Sequence, residues 1–260
     1  MSSSNVAPPA PSAATRGAAA ARATGATKVY GSGDTAVRAL DGIDVEFERG
    51  RFSAIMGPSG SGKSTLMHCM AGLDSLSSGT VYIGDVELTS LSEKKLTVLR
   101  RDLIGFIFQA FNLVPTLSAR ENITLPLSLG GRKPEQPWLD QVIETVGLAN
   151  RLEHRPSELS GGQQQRVAVA RALASKPEII FADEPTGNLD SRTGGEILSF
   201  MRRAVHDLGQ TIVMVTHDPV AAGYADRVVY LVDGKVVHDM ADPTPETIIE
   251  QLKHLGGSAS

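Results

Sequence analysis

Residues 57–64 combine glycines, hydroxyls and one lysine at a spacing that suits phosphate binding. The candidate contacts are Gly57, Pro58, Ser59, Gly60, Ser61, Gly62, Lys63, Ser64 and Thr65, between an apolar segment and a predicted helix. Glycines let backbone N–H groups converge on one anion, and the helix N-terminus adds partial positive charge. We expect Lys63 to reach the β- and γ-phosphates of a nucleotide, and the Ser64 hydroxyl to bind Mg²⁺. The alternative, a flexible Gly/Ser linker, is disfavoured by the flanking strand and helix.

Two acidic residues follow a second apolar run. Residues 179–182 read Ile-Ile-Phe-Ala, a predicted buried strand, and Asp183 and Glu184 come at its carboxyl end. Ligands bind at this edge in open α/β sheets. Asp183 is therefore a candidate Mg²⁺ ligand, and Glu184 a candidate general base that polarises an attacking water. The alternative is a pair of solvated turn acids before Pro185, and the phosphate loop makes the catalytic interpretation the stronger one.

Residues 159–166 contain a second helix N-terminus that is suited to an anion. Ser160 is a strong N-cap, and Gly161 and Gly162 leave backbone N–H groups unshielded where the helix begins. An ordinary capped helix is the alternative. Because a chain rarely needs two γ-phosphate sites, one use of this segment is on the nucleotide of a facing subunit.

With these segments, the sequence resembles the ATP-binding subunits of ABC transporters from about residue 25 to 240. Leu159 to Gln163 reads LSGGQ, the signature that separates this family from other phosphate-loop ATPases. The resemblance implies four further site residues: Gln109 as the Q-loop sensor of Mg²⁺ and attacking water, Asp190 in the D-loop, His217 as the switch histidine on the γ-phosphate, and Tyr30 stacked on adenine. It also places Gln163 at the nucleotide. The alternatives are a polar residue at a strand end for Gln109, a turn histidine for His217 and a packing aromatic for Tyr30.

Residues 30–40 and 108–123 are similar to the branch of this family that contains LolD, MacB and FtsE. That branch implies ATP hydrolysis with Mg²⁺, by a homodimer that drives a separate membrane permease with an extracytoplasmic domain. The permease would be of the macrolide-export or lipoprotein-release type, with this chain bound to it at the cytoplasmic face of the plasma membrane. The alternative is an FtsE-like regulatory ATPase that transmits a signal. A soluble ABC ATPase acting on DNA or ribosomes is disfavoured, because one short cassette is present.

Four apolar residues follow the predicted Q-loop: Phe111, Leu113, Val114 and Leu117. One interpretation is core packing. The other is a groove that receives a short helix of the permease. A nucleotide sensor must lie mechanically close to its load, and Gln109 is only a few residues upstream.

The elements that must position these residues follow a strand–helix alternation with a helical interruption. We predict strands at 52–56, 103–108, 178–182 and 211–216, helices at 63–71 and 191–208, and a mainly helical segment within 118–173. This pattern is an α/β core with a helical insertion. The resemblance makes the expected fold that of an ABC ATPase: a RecA-like P-loop NTPase core, an antiparallel β-subdomain, and a helical subdomain inserted at about 110–173.

Composition limits the remaining classes of function. The 25 basic and 29 acidic residues give a net charge of −4, which argues against a general nucleic-acid binder. The single cysteine, Cys69, excludes an internal disulfide and favours a reducing compartment. Residues 1–25 are rich in Ala, Ser and Pro and lack the apolar stretch of a signal peptide. We expect a disordered tail there, with the ATPase domain at residues 26–260.

Overall fold

The computed structural model describes residues 19–257, which form two β-sheets covered by α-helices. The strands are β1 (Ala19–Tyr30), β2 (Val37–Glu48), β3 (Phe52–Met56), β4 (Ser78–Ile83), β5 (Val86–Glu87), β6 (Ile104–Phe108), β7 (Ile179–Asp183), β8 (Ile212–Val215), β9 (Arg227–Val232) and β10 (Lys235–Ala241). The helices are α1 (Lys63–Met70), α2 (Glu93–Leu103), α3 (Ala119–Leu129), α4 (Gln136–Val146), α5 (Gly161–Ala174), α6 (Ser191–His206), α7 (Pro219–Ala222) and α8 (Pro245–Gly257).

The larger sheet has the strand order β10-β9-β3-β8-β7-β6, and all its neighbours are parallel except β9 and β10. Every residue of the central strand β3 is buried, with Ile55 in one core and Ala54 and Met56 in the other. Burial on both faces is what a parallel sheet between helices requires. Because the strands are parallel, the carboxyl ends of β3, β6, β7 and β8 meet at one edge. The phosphate loop and the predicted catalytic residues follow these ends.

The smaller sheet is antiparallel, in the order β2-β1-β4-β5, and it corrects the predicted start of the folded domain. Strand β1 begins at Ala19, so residues 19–25 are not part of a disordered tail. Ala20, Ala21 and Ala23 are at most 1% exposed, with Ala21 paired to Phe47 of β2 and to Ile83 of β4. The small side chains gave little hydrophobic signal, and pairing on both sides supplies the burial. The predicted tail at residues 1–18 lies outside the described residues.

The segment between β6 and β7 contains α3, α4 and α5, and α3 and α4 both pack on α5, which lies against β6. Helix α3 begins with a capping box, in which Ser118 accepts from the Glu121 backbone and the Glu121 side chain accepts from Ser118. Helix α4 ends at Gly147 in the left-handed conformation. Among residues 19–257, no helix is long and apolar enough to cross a membrane.

Candidate nucleotide-binding and catalytic site

The phosphate loop joins β3 to α1, and its backbone passes too close to other chain segments for side chains at two positions. A Cβ on Gly57, whose φ is +148°, would lie 2.0 Å from the carbonyl oxygen of Leu231. A Cβ on Gly62, whose φ is +98°, would lie 2.4 Å from the carbonyl oxygen of Ala39. Glycine is therefore required at both positions by space and by backbone conformation.

The Lys63 ammonium is enclosed by the loop that precedes it. Its Nζ donates hydrogen bonds to the carbonyl oxygens of Gly57 at 2.9 Å and Pro58 at 2.7 Å. Burial lowers the pKa of Lys63, and the carboxylates of Glu184 and Asp183 oppose that shift. Helix α1 begins at Lys63 without a side-chain cap, so its first-turn N–H groups remain available to an anion.

The other loop residues divide into exposed and buried ones. Ser59, Gly60 and Ser64 are exposed, and no atom lies within 4 Å of a Cβ built on Gly60. Ser61 is buried, and within the described chain its hydroxyl oxygen has no hydrogen-bond partner. Thr65 is half-buried one residue further along α1, near enough to Tyr30 to act on the pKa of that hydroxyl. The loop thus presents an open face above a tightly packed base.

Ser64 and Asp183 are the predicted metal ligands that the fold brings together. His68 Nε2 lies 3.9 Å from Asp183 Oδ2, and the Ser64 hydroxyl is near enough to Asp183 to influence its pKa. Burial and the Glu184 carboxylate raise the pKa of Asp183, while His68, the Ser64 hydroxyl and Lys63 lower it. Within residues 19–257, no group of three or more His, Cys, Asp or Glu side chains could hold a metal. One carboxylate with one hydroxyl fits Mg²⁺, which keeps several waters and shares phosphate ligands.

Glu184 and His217 meet across the ends of β7 and β8. His217 Nδ1 lies 2.7 Å from Glu184 Oε1, and the Thr216 hydroxyl donates to Glu184 Oε2 at 3.4 Å. Glu184 has a φ of +45°, a left-handed conformation that is strained for a side chain of this kind. Its backbone N–H donates to the Val215 carbonyl at 3.0 Å. The strained backbone sets the carboxylate beside His217 at the edge of the sheet.

Gln109 contacts the D-loop in this structure. Its Nε2 donates to Asn188 Oδ1 at 3.0 Å, and Asn188 Nδ2 returns a hydrogen bond to the Gln109 carbonyl at 3.0 Å. A Cβ on Gly187 would lie 2.7 Å from Gln109 Nε2, so the D-loop backbone closes against this amide. The side-chain amide that we predicted to contact Mg²⁺ is therefore engaged with Asn188, which begins the predicted D-loop Asn188-Leu189-Asp190 and to which the sequence assigned no contact of its own.

Asp190, the predicted D-loop contact to the nucleotide, is the N-cap of α6. Its side chain accepts from the backbone N–H groups of Arg192 at 3.1 Å and Thr193 at 3.0 Å, and from the Thr193 hydroxyl at 2.7 Å. The hydrogen bonds from Thr193 lower the pKa of Asp190. This carboxylate therefore stabilises the first turn of α6.

The signature residues begin α5 in the helical segment, whereas α1 packs near β1, β2, β4 and β8. Ser160 Oγ accepts from the Gln163 backbone at 3.3 Å, and Gln163 Oε1 accepts from the Ser160 backbone at 2.9 Å. A Cβ on Gly162 would lie 2.3 Å from Thr193 Cγ2, whereas a Cβ on Gly161 would meet nothing closer than 3.7 Å. The fold thus places this second anion-binding turn against α6.

Tyr30 ends β1 with its ring 43% exposed. Its hydroxyl donates to Asp74 Oδ2 at 2.6 Å, and the Lys28 ammonium lies 4.8 Å from the ring centroid. Lys28 Nζ also pairs with Asp74 Oδ1 at 2.6 Å. Sequence reasoning missed Lys28 and Asp74. The spacing of Lys28 and Tyr30, two residues apart on one strand face, was the available signal.

Comparison with known proteins agrees with this geometry. The family model described as ABC transporter matches residues 40–187. A relative from Methanocaldococcus jannaschii, the uncharacterized ABC transporter ATP-binding protein MJ1508, is 47% identical over 81% of this chain and 94% of its own length. The chain belongs to the ABC transporter family. It is an ABC-type ATPase, and the predicted family membership is confirmed.

Two other similarities describe the fold and the size of the ABC cassette. The dimeric structure of a post-hydrolysis state of the ATP-binding cassette MJ0796, bound to ADP and Pi, has a TM-score of 0.76 at 41% identity, over 85% of this chain and 98% of that one. The predicted ABC ATPase fold is thereby confirmed. The macrolide export ATP-binding/permease protein MacB of Bdellovibrio bacteriovorus is 47% identical to this chain. The aligned region covers 83% of this chain and 33% of MacB.

Proposed function

We propose that two copies of this chain hydrolyse ATP with Mg²⁺ and drive a separate permease of the macrolide-export or lipoprotein-release type. The contact of 2.7 Å between His217 Nδ1 and Glu184 Oε1 carries the proposal. It lies at the edge of the sheet where the carboxylates of Glu184 and Asp183 are near enough to Lys63 to act on its pKa. A base, a histidine and a phosphate-binding lysine together are what hydrolysis of a bound nucleotide requires.

The binding half of the reaction uses the phosphate loop and the residues beside it. Backbone N–H groups of the loop from Ser59 to Thr65 and the Lys63 ammonium hold the phosphates, and Tyr30 stacks on the base. Ser64 and Asp183 would hold Mg²⁺. When bound, the ion offsets negative charge on the β- and γ-phosphate oxygens. The influence of the Ser64 hydroxyl on the pKa of Asp183 supports this pairing, because it requires the two side chains to lie close together.

The hydrolytic half uses Glu184 as general base toward the attacking water. The side chain of Glu184 is 23% exposed, and that of His217 is 77% exposed. Glu184 is thus held in a partly enclosed position while His217 is accessible to a γ-phosphate. The contact between them fixes the carboxylate, and Thr216 adds a second hydrogen bond at 3.4 Å.

The signature turn acts on the nucleotide of the other copy. Ser160 Oγ already accepts a hydrogen bond from Gln163 N, so its O–H remains a donor for a phosphate oxygen. The N–H groups of Gly161 and Gly162 begin α5 and add to this donor set. The dimeric state of the similar MJ0796 cassette supports this assembly.

The permease docks in a groove between the core and the helical segment. This coupling groove, about 430 Å³ in volume, has an apolar lining of Leu73, Phe106, Phe108, Leu125 and Leu129. The rings of Phe106 and Phe108 are stacked at 5.6 Å. Of residues 111–117, only Asn112 lines it. We therefore assign docking to this groove in place of the four residues after the Q-loop. Such a groove suits the apolar face of a short helix from the permease.

The MacB relatives support the export type of permease and the location that goes with it. In MacB the cassette and the permease are parts of one protein, as its name states. The present chain matches one third of that length. In the proposed function the permease is a separate chain, and this chain is bound to it at the cytoplasmic face of the plasma membrane.

Glu184→Gln tests the proposed catalytic role. The amide keeps the shape but loses the basic oxygen, so turnover falls by about 10²-fold or more while ATP affinity is retained. Turnover of the purified chain and ATP affinity by calorimetry measure the two effects. Glu250→Gln in α8, the same exchange away from the site, is the matched control and leaves both unchanged. Turnover near that of the control, with normal binding, contradicts the assignment.

Single cysteines test the docking groove. Leu129 is 73% exposed and lines the groove, whereas Val237 is 46% exposed on β10. Burial raises the pKa of the native Cys69 to about 11, so this thiol does not compete at neutral pH. A crosslinker on Leu129→Cys captures the co-expressed permease, and the Val237→Cys control does not. Capture by Val237→Cys alone places the docking surface elsewhere.

A further inference from the structure

Gln165 lies inside the molecule, five residues after the N-cap of the signature helix. Its side chain is fully buried, on the face of α5 that also carries Ala168 and Ala172. Its Nε2 donates to the carbonyl oxygen of Phe108 at 3.3 Å and to that of Pro185. One amide nitrogen therefore joins α5 to the ends of two strands of the central sheet.

Burial of the Gln165 amide is energetically unfavourable unless the hydrogen bonds donated by its Nε2 compensate for it. Its Oε1 is buried, and among the described residues it has no hydrogen-bond partner. A buried acceptor without a partner carries a desolvation cost that lowers the stability of the fold. An apolar side chain of similar size would avoid that cost, but it would leave the Pro185 carbonyl without this donor.

The two carbonyls lie next to the residues that perform the proposed chemistry. Phe108 precedes Gln109, and Pro185 follows Glu184. Glu184 has a φ of +45°, and such backbone strain persists only where surrounding contacts hold it. Backbone groups of this turn form hydrogen bonds from Glu184 N to Val215 O at 3.0 Å, from Gly187 N to Glu184 O at 3.0 Å, and from Gln165 Nε2 to Pro185 O. Of these three, the hydrogen bond from Gln165 is the one that a side chain donates, whereas Thr216 and His217 contact the Glu184 carboxylate.

We propose that Gln165 is a positioning residue that holds the strained turn and thereby aims the Glu184 carboxylate. The inference rests on the proposed role of Glu184 as general base. It gives α5 a direct mechanical connection to the catalytic edge, because any shift of this helix pulls on the Pro185 carbonyl. The same amide holds the Phe108 carbonyl, so the start of the Q-loop moves with it.

Gln165→Met removes the donor while keeping the length and volume of the side chain. We expect turnover to fall by about 10-fold or more, because small displacements of a catalytic group reduce rates strongly. ATP affinity of the single chain changes by less than about 2-fold, since no phosphate contact is lost. Gln210→Met is the matched control. Gln210 is also buried with an unpartnered Oε1, before β8. We expect Gln210→Met to retain turnover within about 2-fold of wild type, even where its unfolding free energy falls as much as that of Gln165→Met.

A second background separates positioning of Glu184 from general loss of structure. With Glu184→Gln already present, Gln165→Met lowers the residual single-turnover rate by less than about 2-fold, because the group that it aims is gone. A full additional 10-fold loss in that background overturns the inference. Equal turnover losses in Gln165→Met and Gln210→Met overturn it as well.

Two further outcomes keep the inference separate from the proposed function. If Glu184→Gln leaves turnover unchanged, the assignment of the base fails, and the inference fails with it. If Glu184→Gln abolishes turnover but Gln165→Met does not reduce it, only the inference fails. Should Gln165→Met not fold, Gln165→Leu also removes the donor and has a shorter apolar side chain. Wild-type turnover in Gln165→Leu overturns the inference, and a 10-fold loss at unchanged ATP affinity supports it.

Discussion

Helices α1 and α5 both begin at glycine-rich turns, yet their first turns are in different states. At α1 the N-cap is Gly62, which provides no side-chain cap, and the open loop precedes it. At α5 the N-cap is Ser160, which forms a complete capping box with Gln163. The first turn of α1 needs an external anion to satisfy its N–H groups, whereas that of α5 is already partly satisfied.

The glycines of the two turns are required for different reasons. Gly57 and Gly62 have positive φ values and face backbone carbonyls that cannot move aside easily. Gly162 has ordinary helical geometry and is crowded only by the Thr193 methyl group. The α1 turn therefore has a backbone that is fixed within one chain, as the proposed nucleotide site requires. The α5 turn is a stable surface, which in the proposed dimer contacts the nucleotide of the other copy.

Ser160→Arg tests this difference with the largest expected effect. The long side chain obstructs the surface and removes a hydroxyl donor, so turnover falls by about 10²-fold or more. The single chain keeps its ATP affinity, since its own phosphate loop is intact. Mixing the variant with wild-type chain lowers wild-type turnover, because mixed dimers carry one blocked site. If the ATP affinity of the single Ser160→Arg chain fell as much as its turnover, Ser160 would act on the nucleotide bound to the same chain.

Lys63→Ala is the reciprocal change at α1. It removes a charge-assisted contact that contributes about 1.5–3 kcal/mol, so ATP affinity falls roughly 10- to 100-fold even in the single chain. Calorimetry on the same preparations measures both variants. If Lys63→Ala and Ser160→Arg lowered the ATP affinity of the single chain by the same factor, the proposed difference between the two turns would be wrong.

Gly162→Ala sharpens the comparison through stability. The new Cβ would lie 2.3 Å from Thr193 Cγ2, and we expect overpacking to lower the unfolding free energy by about 1–3 kcal/mol. Thr193→Ser removes that methyl group but keeps the hydroxyl that donates to Asp190 at 2.7 Å. The double variant therefore recovers most of the loss in urea unfolding. Gly161→Ala, with 3.7 Å of clearance, is the control and stays near wild type. If the double variant Gly162→Ala/Thr193→Ser were as unstable as Gly162→Ala alone, the overpacking would come from a contact other than the Thr193 methyl group.

The sequence was sufficient where a function depends on neighbouring residues along the chain. The phosphate loop, the signature and the acids after β7 each occupy a short segment, and their flanking elements follow from hydrophobic patterning. The sheet then brings Lys63, Asp183, Glu184 and His217 to one edge, as parallel strands require.

Contacts between distant segments were not predictable in this way. Alanines of β1 looked like a tail, because their burial comes from pairing with two other strands. Asn188 meets Gln109 and Thr193 meets Gly162 only through the fold. Gln165 is the middle case. Helical periodicity places it with Ala168 and Ala172 on a buried face, a signal that its polar character concealed.

The base end of the nucleotide site gives the smallest expected effect. Burial raises the pKa of Asp74, but hydrogen bonds from Lys28 and Tyr30 outweigh it and lower that pKa overall. Burial lowers the pKa of Lys28, but the contact with Asp74 outweighs it and raises that pKa overall. Asp74→Asn weakens both contacts, and we expect the unfolding free energy to fall by about 1–2 kcal/mol at neutral pH. Tyr30 also loses its anchor, so ATP affinity decreases by a few-fold.

The pH range of this effect follows from the signs of the two shifts. A lowered Asp74 pKa gives stability that is complete above the unfolded value of 3.8 and is lost as pH falls through the folded value. A raised Lys28 pKa gives stability that is complete below 10.5 and is lost as pH rises through the folded value. The free-energy difference between wild type and Asp74→Asn, from urea unfolding, is therefore constant from about pH 5 to 9. Tyr30→Phe keeps the ring but not the hydroxyl, and it loses less stability because the Lys28–Asp74 pair remains. A difference that disappears within that pH range would show that the pair does not anchor Tyr30.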